Sequence, residues 1–414
     1  MLSSSPRAAC ARSSPCCTGA RAPIRTCPDG CRISRWRNGE EERMSESTLV
    51  LVGPQSTRIR DASGRELVNF ASNDYLQLAN HPALAEAGIA CLRENGAGMA
   101  SVAFISGFHR AHEELEQLTV EMLGAEACIL FSSCYAANVG LFGSLYGEGD
   151  LIVSDALNHA SLIDGIRLAK AKRSLFPHGD LARLEEILAD RRDYGRCAIV
   201  ADTVFSMEGD YADVEEFRRI AAEHSCDLIL DHSHLTGTAP PDGIGPYSWS
   251  PLPDGEFIIT GTYGKALGGS AGGFVAGSEA VVAQLRKQAR PYIFSNLMPP
   301  VAAAIAAEAI RVMRREPERN AQLQRNVEAF ARIAAELGVP VPEGQRHPIV
   351  PLKASDDEAV ARASVLLGER DIHAVAMSYP VVPKNEGRIR VQLTSGHTEE
   401  EMRGLLSAWS ECVR

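Results

Sequence analysis

The sequence predicts an α/β fold: a large domain with a mostly parallel sheet covered by helices, and a smaller α+β domain at the C-terminus. Short apolar runs alternate with amphipathic segments through the middle of the chain, which is typical of parallel strands joined by crossover helices. With 414 residues, 45% of them hydrophobic, the chain can bury the core of two or three domains. The predicted strands of the large sheet are 128–131, 151–154, 198–202, 228–231 and 257–260.

Local patterns predict the elements on either side of these strands. Residues 66–70 alternate apolar and polar side chains like a half-buried strand, a helix begins near His81, and a second helix ends at Gly124. Asp213 and Glu216 form a capping-box pattern before a crossover helix. The C-terminal domain is predicted to contain a helix at 299–316, a strand at 349–352, a helix at 357–367, a strand at 388–393 and a last helix from Thr398, with Glu401 in capping-box register.

Composition divides the chain into four parts. Residues 1–43 contain eight arginines, no lysine and five of the eleven cysteines, and we expect a disordered leader or a misassigned start. They are followed by an N-terminal segment at 44–95, the large domain at 96–298 and the small domain at 299–414. The arginine-rich leader resembles a mitochondrial transit peptide, although four prolines would interrupt an amphipathic helix in it. We therefore expect a cytoplasmic protein, or a matrix protein if the leader is a transit peptide.

Charge and cysteine spacing exclude several classes of function. A net charge of −11 argues against a nucleic-acid partner. No apolar stretch approaches the roughly 20 residues that a membrane-spanning helix needs. The cysteines are either scattered or clustered without paired ligands, so they predict neither a disulfide framework nor a zinc site, and we expect no bound metal.

Lys265 lies in the glycine-rich run TGTYGKALGGSAGG at 260–273. A lysine that forms a Schiff base must be reachable, and glycines let a flat ring lie against the backbone. Nucleotide-binding loops and simple turns share this composition, although the P-loop spacing is absent. The run alone therefore leaves a cofactor lysine as one of several interpretations.

Asp231 ends an apolar run that predicts a buried parallel strand, whose carboxyl end opens into the crevice where α/β sheets bind ligands. A carboxylate there can keep a pyridinium nitrogen protonated, and His234 could reach the phenolic oxygen of the same ring. Alone, this pair is equally compatible with a metal pair or a strand-end turn. The order Asp231, His234, Lys265 favours pyridoxal 5′-phosphate.

Further segments show that the chain resembles the α-oxoamine synthases, which are pyridoxal-phosphate enzymes of the fold type I aminotransferase superfamily. The similarity runs from about residue 68 to about residue 409. The matching segments are SNDYL at 72–76, GMASVAFISG at 98–107, SDALNHAS at 154–161, RPYIFSN at 290–296 and PVVPK at 380–384.

The resemblance implies a role for each matching residue. Arg390, assisted by Asn73, would hold the substrate carboxylate, since a guanidinium can bind a carboxylate through two hydrogen bonds. A donor contributed by the second subunit implies a homodimer with shared active sites. The implied cofactor contacts are the first-turn amides of Cys134 and Tyr135, the stacking ring of His159, the hydroxyls of Ser206 and Thr262, Ser295 from the second subunit, and Asp231, His234 and Lys265.

The segments are most similar to those of the acetyl-transferring members, which implies that Lys265 removes a Cα proton from glycine and that acetyl-CoA is the acyl partner. The products would be 2-amino-3-oxobutanoate and CoA, or the reaction would run in reverse. Other interpretations are an 8-amino-7-oxononanoate synthase or another enzyme using a longer acyl-CoA, a plain aminotransferase, and a catalytically silent scaffold homologue, which would be expected to lack the lysine.

Three positions depart from the family pattern. Gln77 stands where a glycine is usual, Ala103 where an arginine is expected, and Phe108 where acetyl-transferring members tend to have threonine. The loss of a charge and the gain of an aromatic ring near the acyl pocket could shift preference away from acetyl-CoA.

Overall fold

The computed structural model describes residues 49–413, except for residues 345, 355, 380, 381 and 383–385. The predicted leader at 1–43 lies outside the described residues, as does most of the 380–384 motif. The chain from Val50 onward forms one compact unit. The division at residues 95 and 298 stays a prediction.

The described part of the chain contains fourteen strands and twelve α-helices. The strands are β1 (Leu51–Val52), β2 (Arg58–Asp61), β3 (Glu66–Asn69), β4 (Ala127–Phe131), β5 (Leu151–Asp155), β6 (Lys172–Phe176), β7 (Cys197–Asp202), β8 (Asp227–Asp231), β9 (Phe257–Thr262), β10 (Gly273–Gly277), β11 (Ile349–Lys353), β12 (Ile372–His373), β13 (Val375–Met377) and β14 (Arg388–Gln392). The helices are α1 (Pro82–Asn95), α2 (Arg110–Leu123), α3 (Cys134–Leu145), α4 (Ala160–Leu168), α5 (Leu181–Ala189), α6 (Val214–Glu223), α7 (Glu279–Gln288), α8 (Arg290–Phe294), α9 (Pro300–Arg315), α10 (Glu318–Leu337), α11 (Asp357–Glu369) and α12 (Glu399–Val413).

A seven-stranded sheet in the order β4-β10-β9-β8-β7-β5-β6 forms the centre of the large domain. Only β10 runs antiparallel to its neighbours, so the predicted mostly parallel sheet is confirmed. The sequence analysis missed β6 and β10. The first is an edge strand with exposed charged residues, and the second is bounded by glycines, so neither carries a strong apolar signal.

The central strands are buried on both faces. Every residue of β8 is buried: Leu228 and Leu230 pack into one apolar cluster, whereas Ile229 packs into another on the opposite face. Removing such a side chain from water contributes about 1.5–3 kcal/mol. Burial on both faces explains why these strands are continuous apolar runs and do not alternate.

Two smaller sheets lie outside the seven-stranded sheet. In the order β1-β2-β3-β12, the short strand β12 pairs parallel to β3, so strands from both ends share one sheet. The other sheet, β11-β14-β13, is antiparallel and packs with α10, α11 and α12 around a third apolar cluster. This α+β arrangement is the one predicted for the C-terminal region.

Most of the predicted helix signals are confirmed. His81 caps α1 by accepting a hydrogen bond from the amide of Ala83, and Gly124 ends α2 in the left-handed conformation with φ 74°. At α12, the amide of Thr398 donates to Glu401 and the amide of Glu401 donates back to the Thr398 hydroxyl, which completes the capping box. At α6, Asp213 accepts from the Glu216 amide, but the Glu216 carboxylate bonds an arginine on its own helix instead.

Among the residues that the structure describes, no helix has both the length and the apolar content that a membrane crossing requires. Over the same residues, no three or more histidine, cysteine or acidic side chains are grouped so as to hold a metal ion.

Candidate active site

Aspartates end three parallel strands at one edge of the seven-stranded sheet: Asp155 on β5, Asp202 on β7 and Asp231 on β8. The carboxyl ends of such strands form the usual ligand crevice of an open α/β sheet. A cavity of about 210 Å³ lies at this edge. It is lined by Ser133, Cys134, Tyr135, His159, Ser161, Asp202, Asp231, Ser233, His234, Thr262 and Lys265.

Lys265 follows β9 and reaches into this cavity from the turn predicted to carry it. Gly268 and Gly269 adopt φ angles of 81° and 62°, a left-handed backbone that glycine accommodates without strain. Burial lowers the pKa of Lys265, although the charge of Asp231 acts in the opposite direction. A lowered pKa increases the neutral fraction of the amine, which is the form that acts as nucleophile and base.

Asp231 lies in the wall of the cavity with both carboxylate oxygens bonded. Its Oδ2 accepts from Asn138 Nδ2 at 2.8 Å, and its Oδ1 accepts from the backbone amide of Ser233 at 2.8 Å. Burial alone would raise the pKa of Asp231, but hydrogen bonds from Ser233 and Asn138 and the charge of Lys265 bring it below its usual value. The carboxylate therefore stays ionised.

Asp202, on the neighbouring strand, behaves in the opposite way. Burial and the charge of Asp231 raise its pKa well above the usual value. Like charges on adjacent strands cannot both be buried and ionised cheaply, so the ionised form is favoured at Asp231 and disfavoured at Asp202. The sequence analysis did not select Asp202, although its position at the end of a predicted strand was a usable signal.

His159 caps the N-terminus of α4 and lines the cavity. Its backbone amide donates to Asp202 Oδ2 at 2.6 Å, and its Nδ1 lies 2.8 Å from the hydroxyl of Ser161. Burial lowers the pKa of His159, which keeps the ring neutral near pH 7. A neutral ring fixed at its Nδ1 edge can present a flat face to a ligand.

The N-terminus of α3 forms one end of the cavity. Ser133 caps this helix by accepting from the Ala136 amide, and Cys134 and Tyr135 are its first two residues. Strand β10 approaches so closely that a Cβ at Gly273 would lie 2.2 Å from the Cys134 nitrogen. A helix N-terminus attracts anions through its amides and its dipole, in agreement with the predicted phosphate position.

Of three other predicted cofactor residues, one lines the cavity and two do not. The Thr262 hydroxyl lines the cavity but donates to the Gly272 carbonyl at 3.0 Å. Ser206 does not line the cavity, and its carbonyl accepts from Arg390 Nε at 2.5 Å. Ser295 is exposed directly after α8. The predicted contacts of these side chains with the cofactor stay predictions.

Arg390, on β14, is only 7% exposed. No described carboxylate forms an ion pair with it, whereas the nearby Arg388 is paired with Glu208 and Glu386. The Arg390 charge is close enough to the cavity to lower the pKa of both Lys265 and His234. A buried cation without an anionic partner is costly, so its position favours binding of an anionic group there.

Tyr75 and His347 contact His234, and the sequence analysis missed both. The Tyr75 hydroxyl lies 2.9 Å from His234 Nδ1 and donates to Asn73 Oδ1 at 3.1 Å. His347 Nε2 lies 3.0 Å from the backbone oxygen of His234. Tyr75 stands within a segment that was recognised, but His347 is 113 positions from His234, and no local pattern indicates such a contact.

The three residues that depart from the family pattern lie in three different local environments. Gln77 adopts φ 56°, the left-handed region that explains why glycine is usual there. Ala103 is buried in a π-helical turn at Ala103–Gly107. The ring of Phe108 packs against His112 and beneath the guanidinium of Arg286. Neither Ala103 nor Phe108 lines the cavity around Lys265.

The fold and the site identify the class of protein. The model of aminotransferase class I and II matches residues 65–408, and the chain belongs to that family. A 2-amino-3-ketobutyrate coenzyme A ligase from Salmonella typhimurium is 38% identical, over 89% of this chain and 93% of its own length. A putative 8-amino-7-oxononanoate synthase from Aquifex aeolicus is 35% identical, over 92% of this chain and 99% of its own length.

The fold is also shared with a serine palmitoyltransferase from S. paucimobilis that was solved with PLP and myriocin bound. The TM-score is 0.82 at 25% identity, with 88% of this chain and 92% of that chain covered. These relatives confirm the resemblance to the α-oxoamine synthases and the predicted fold type.

Proposed function

We propose that this protein is a pyridoxal-phosphate-dependent acyl-CoA:amino-acid C-acyltransferase whose substrates are glycine and acetyl-CoA. The reaction interconverts glycine and acetyl-CoA with 2-amino-3-oxobutanoate and CoA. The observation that carries the proposal is the convergence of Lys265, Asp231 and His234 in one cavity, near a buried Arg390 that forms no ion pair with any carboxylate the structure describes. The ligase from Salmonella typhimurium, at 38% identity, supports the choice of substrates.

The donor set fits pyridoxal phosphate. The N-terminus of α3 suits a phosphate, Asp231 is an ionised partner for a ring nitrogen, and Lys265 supplies an amine of lowered pKa. When bound, this cofactor accepts the negative charge that develops at the substrate Cα.

The residues of the chain orient the substrate and move its proton. Arg390 binds the glycine carboxylate and so fixes the direction of the Cα–H bonds. The neutral amine of Lys265 takes the Cα proton as general base. Asp231 stays ionised throughout because its two hydrogen bonds favour the charged form.

A longer acyl chain is the competing possibility, and the Aquifex aeolicus relative supports it. Each additional buried methylene would contribute about 0.8 kcal/mol, so an apolar acyl pocket would favour longer chains progressively. An aminotransferase would instead need a keto-acid acceptor and would release no CoA thiol.

The test is thiol release by the purified protein with glycine and acetyl-, butyryl-, hexanoyl- or succinyl-CoA, repeated with alanine and with Lys265→Ala as control. We expect acetyl-CoA with glycine to give the highest kcat/KM and the control to be inactive. Borohydride treatment followed by peptide mapping should trap the cofactor on Lys265. A preference of about tenfold for hexanoyl-CoA, which corresponds to ~1.4 kcal/mol, would overturn the choice of acetyl-CoA. Thiol release unchanged in Lys265→Ala would overturn the mechanism.

The active form is proposed to be a homodimer with shared sites. Phe104, Ile105 and Phe294 are 63%, 69% and 68% exposed, and α8, which carries Phe294, packs against the turn that carries the other two. An exposed apolar patch of this kind is typical of a protein interface. Ser295 directly follows it, which supports the prediction that this serine acts in the site of the second subunit.

A further inference from the structure

The hydroxyl of Tyr75 lies between two groups of side chains. No other described hydrogen bond joins these two groups. On one side lie Asn73, whose Oδ1 is 3.1 Å from the phenol oxygen, and Arg390, whose positive charge opposes the rise that burial causes in the pKa of the phenol. On the other side lies His234 Nδ1, at 2.9 Å. Tyr75 is fully buried, so water cannot replace any of these partners.

Tyr75 and His234 each carry one mobile proton. Burial raises the pKa of Tyr75 and lowers the pKa of His234 well below its usual value, so the first is a phenol and the second a neutral imidazole. A phenol has one proton to donate, and a neutral imidazole has one N–H and one acceptor nitrogen. Tyr75 can therefore donate to Asn73 or to His234, but not to both.

Each choice fixes a different tautomer of His234. While Tyr75 donates to Asn73 Oδ1, His234 bonds the phenol oxygen only by donating from Nδ1, and Nε2 is an acceptor. When Tyr75 turns its proton toward Nδ1, the single imidazole proton resides on Nε2 after exchange with water. The number of protons is the same in both arrangements.

His347 restricts the response of His234 to this tautomer change. Its Nδ1 accepts from the Ile349 amide at 3.1 Å, so its proton is on Nε2, which donates to the His234 carbonyl at 3.0 Å. The backbone of His234 is held by this bond. A change at Tyr75 is thus transmitted as a proton position, with the backbone of His234 held in place.

We propose that Tyr75 is a positioning residue that couples the carboxylate subsite of Asn73 and Arg390 to the tautomer of His234. A carboxylate accepts from Arg390 and from Asn73 Nδ2, and so draws the Asn73 amide away from the phenol, whose proton then turns toward Nδ1. His234 Nε2 then becomes a donor in the cavity that holds the cofactor. This inference rests on the proposed function, because it assigns Nε2 a role toward the phenolic oxygen of pyridoxal phosphate.

The test follows the visible absorption of the holoenzyme against pH, with and without saturating acetate, which has a carboxylate but no amine. In the wild type, we expect acetate to shift the proton dissociation constant of the bound cofactor about tenfold. In Tyr75→Phe, this shift should fall below about twofold. In Asn73→Ala, the phenol loses its competing acceptor. The titration midpoint of this variant without acetate should therefore equal the midpoint of the wild type with acetate. Tyr146→Phe, which removes a buried phenol bonded to Asp227, is the matched control and should keep the full shift.

The outcomes separate the two proposals. A shift retained in Tyr75→Phe, or no shift in a wild type that has bound the cofactor, overturns the coupling and leaves the proposed function standing. A wild type that binds no pyridoxal phosphate at all overturns the proposed function, and the coupling with it.

Discussion

At the scale of single residues, the site depends on pairs of similar groups that neighbouring charges and hydrogen bonds make different. Asp231 and Asp202 end adjacent strands, yet hydrogen bonds lower the pKa of the first while burial raises the pKa of the second. Arg388 and Arg390 lie on the same strand, but only Arg388 has acidic partners among the described residues. In both cases the local environment, and not the residue type, decides which group can act on a ligand.

Asp231→Asn should retain the cofactor but lose turnover. The amide keeps the shape of the side chain and removes the charge that holds the ring nitrogen protonated. Losing a preorganised charge of this kind costs about 3 kcal/mol or more, which corresponds to at least a hundredfold in kcat. Steady-state thiol release, with cofactor content measured by absorbance, checks this. Asp227→Asn, at the opposite end of β8, is the control for structural damage. If the turnover of Asp231→Asn stays within a few-fold of the wild type, Asp231 has only a structural role.

Gln77 allows a separate test of backbone strain. At φ 56°, a residue with a Cβ is disfavoured relative to glycine by about 1 kcal/mol. Gln77→Gly and Gln77→Ala both lose the hydrogen bonds that the side chain makes to Thr57 and Asp74. We therefore expect the glycine variant to have the larger free energy of unfolding in urea, by about 1 kcal/mol. Equal stabilities would mean that the backbone relaxes out of this conformation.

At the scale of secondary-structure elements, His178 connects three parts of the large domain through hydrogen bonds. It follows β6, its Nδ1 is 3.1 Å from Asp155 at the end of β5, and its Nε2 is 2.8 Å from Asp210. Asp210 belongs to the loop after β7, which also carries Ser206, the partner of Arg390. Hydrogen bonds to these two carboxylates raise the pKa of His178 to about 10.

This linkage predicts how stability depends on pH. The pKa of His178 is higher in the folded chain, about 10, than its ordinary value of 6.5, so its contribution is fully present below pH 6.5 and is lost as pH rises through 10. We expect His178→Gln to be less stable than the wild type by about 1 kcal/mol below pH 6.5, because the site is partly open to solvent. The difference should shrink toward pH 10 in thermal unfolding followed at several pH values. His224→Gln is the control, and a difference independent of pH would exclude the ion pairs as its cause.

At the scale of the whole molecule, the arrangement of the site predicts that neither subunit is complete alone. The patch of Phe104, Ile105 and Phe294 is exposed in the single chain, and Ser295 lies beside it, outside the residues that line the cavity of its own subunit. An isologous dimer that covers this patch would place each Ser295 near the other subunit.

Hybrid dimers test this directly. Lys265→Ala and Ser295→Asp should each abolish activity, the second because a carboxylate would repel the cofactor phosphate. Co-expressed, the two variants should recover about a quarter of wild-type activity, since half of the dimers would be hybrids with one intact site in two. A mixture no more active than its components would contradict the shared site.

The sequence alone determined the fold class, the main strands and several of the residues that line the cavity at Lys265. These follow from local signals: continuous apolar runs for doubly buried strands, a glycine-rich turn at Lys265, and an acid at the end of a strand in Asp231. Only the tertiary structure decided which groups are charged and which partners they have. The opposite pKa shifts of Asp231 and Asp202, and the contacts of Tyr75 and His347 with His234, depend on residues more than twenty positions apart. Burial and hydrogen bonding set these properties, and both arise only when distant segments pack together.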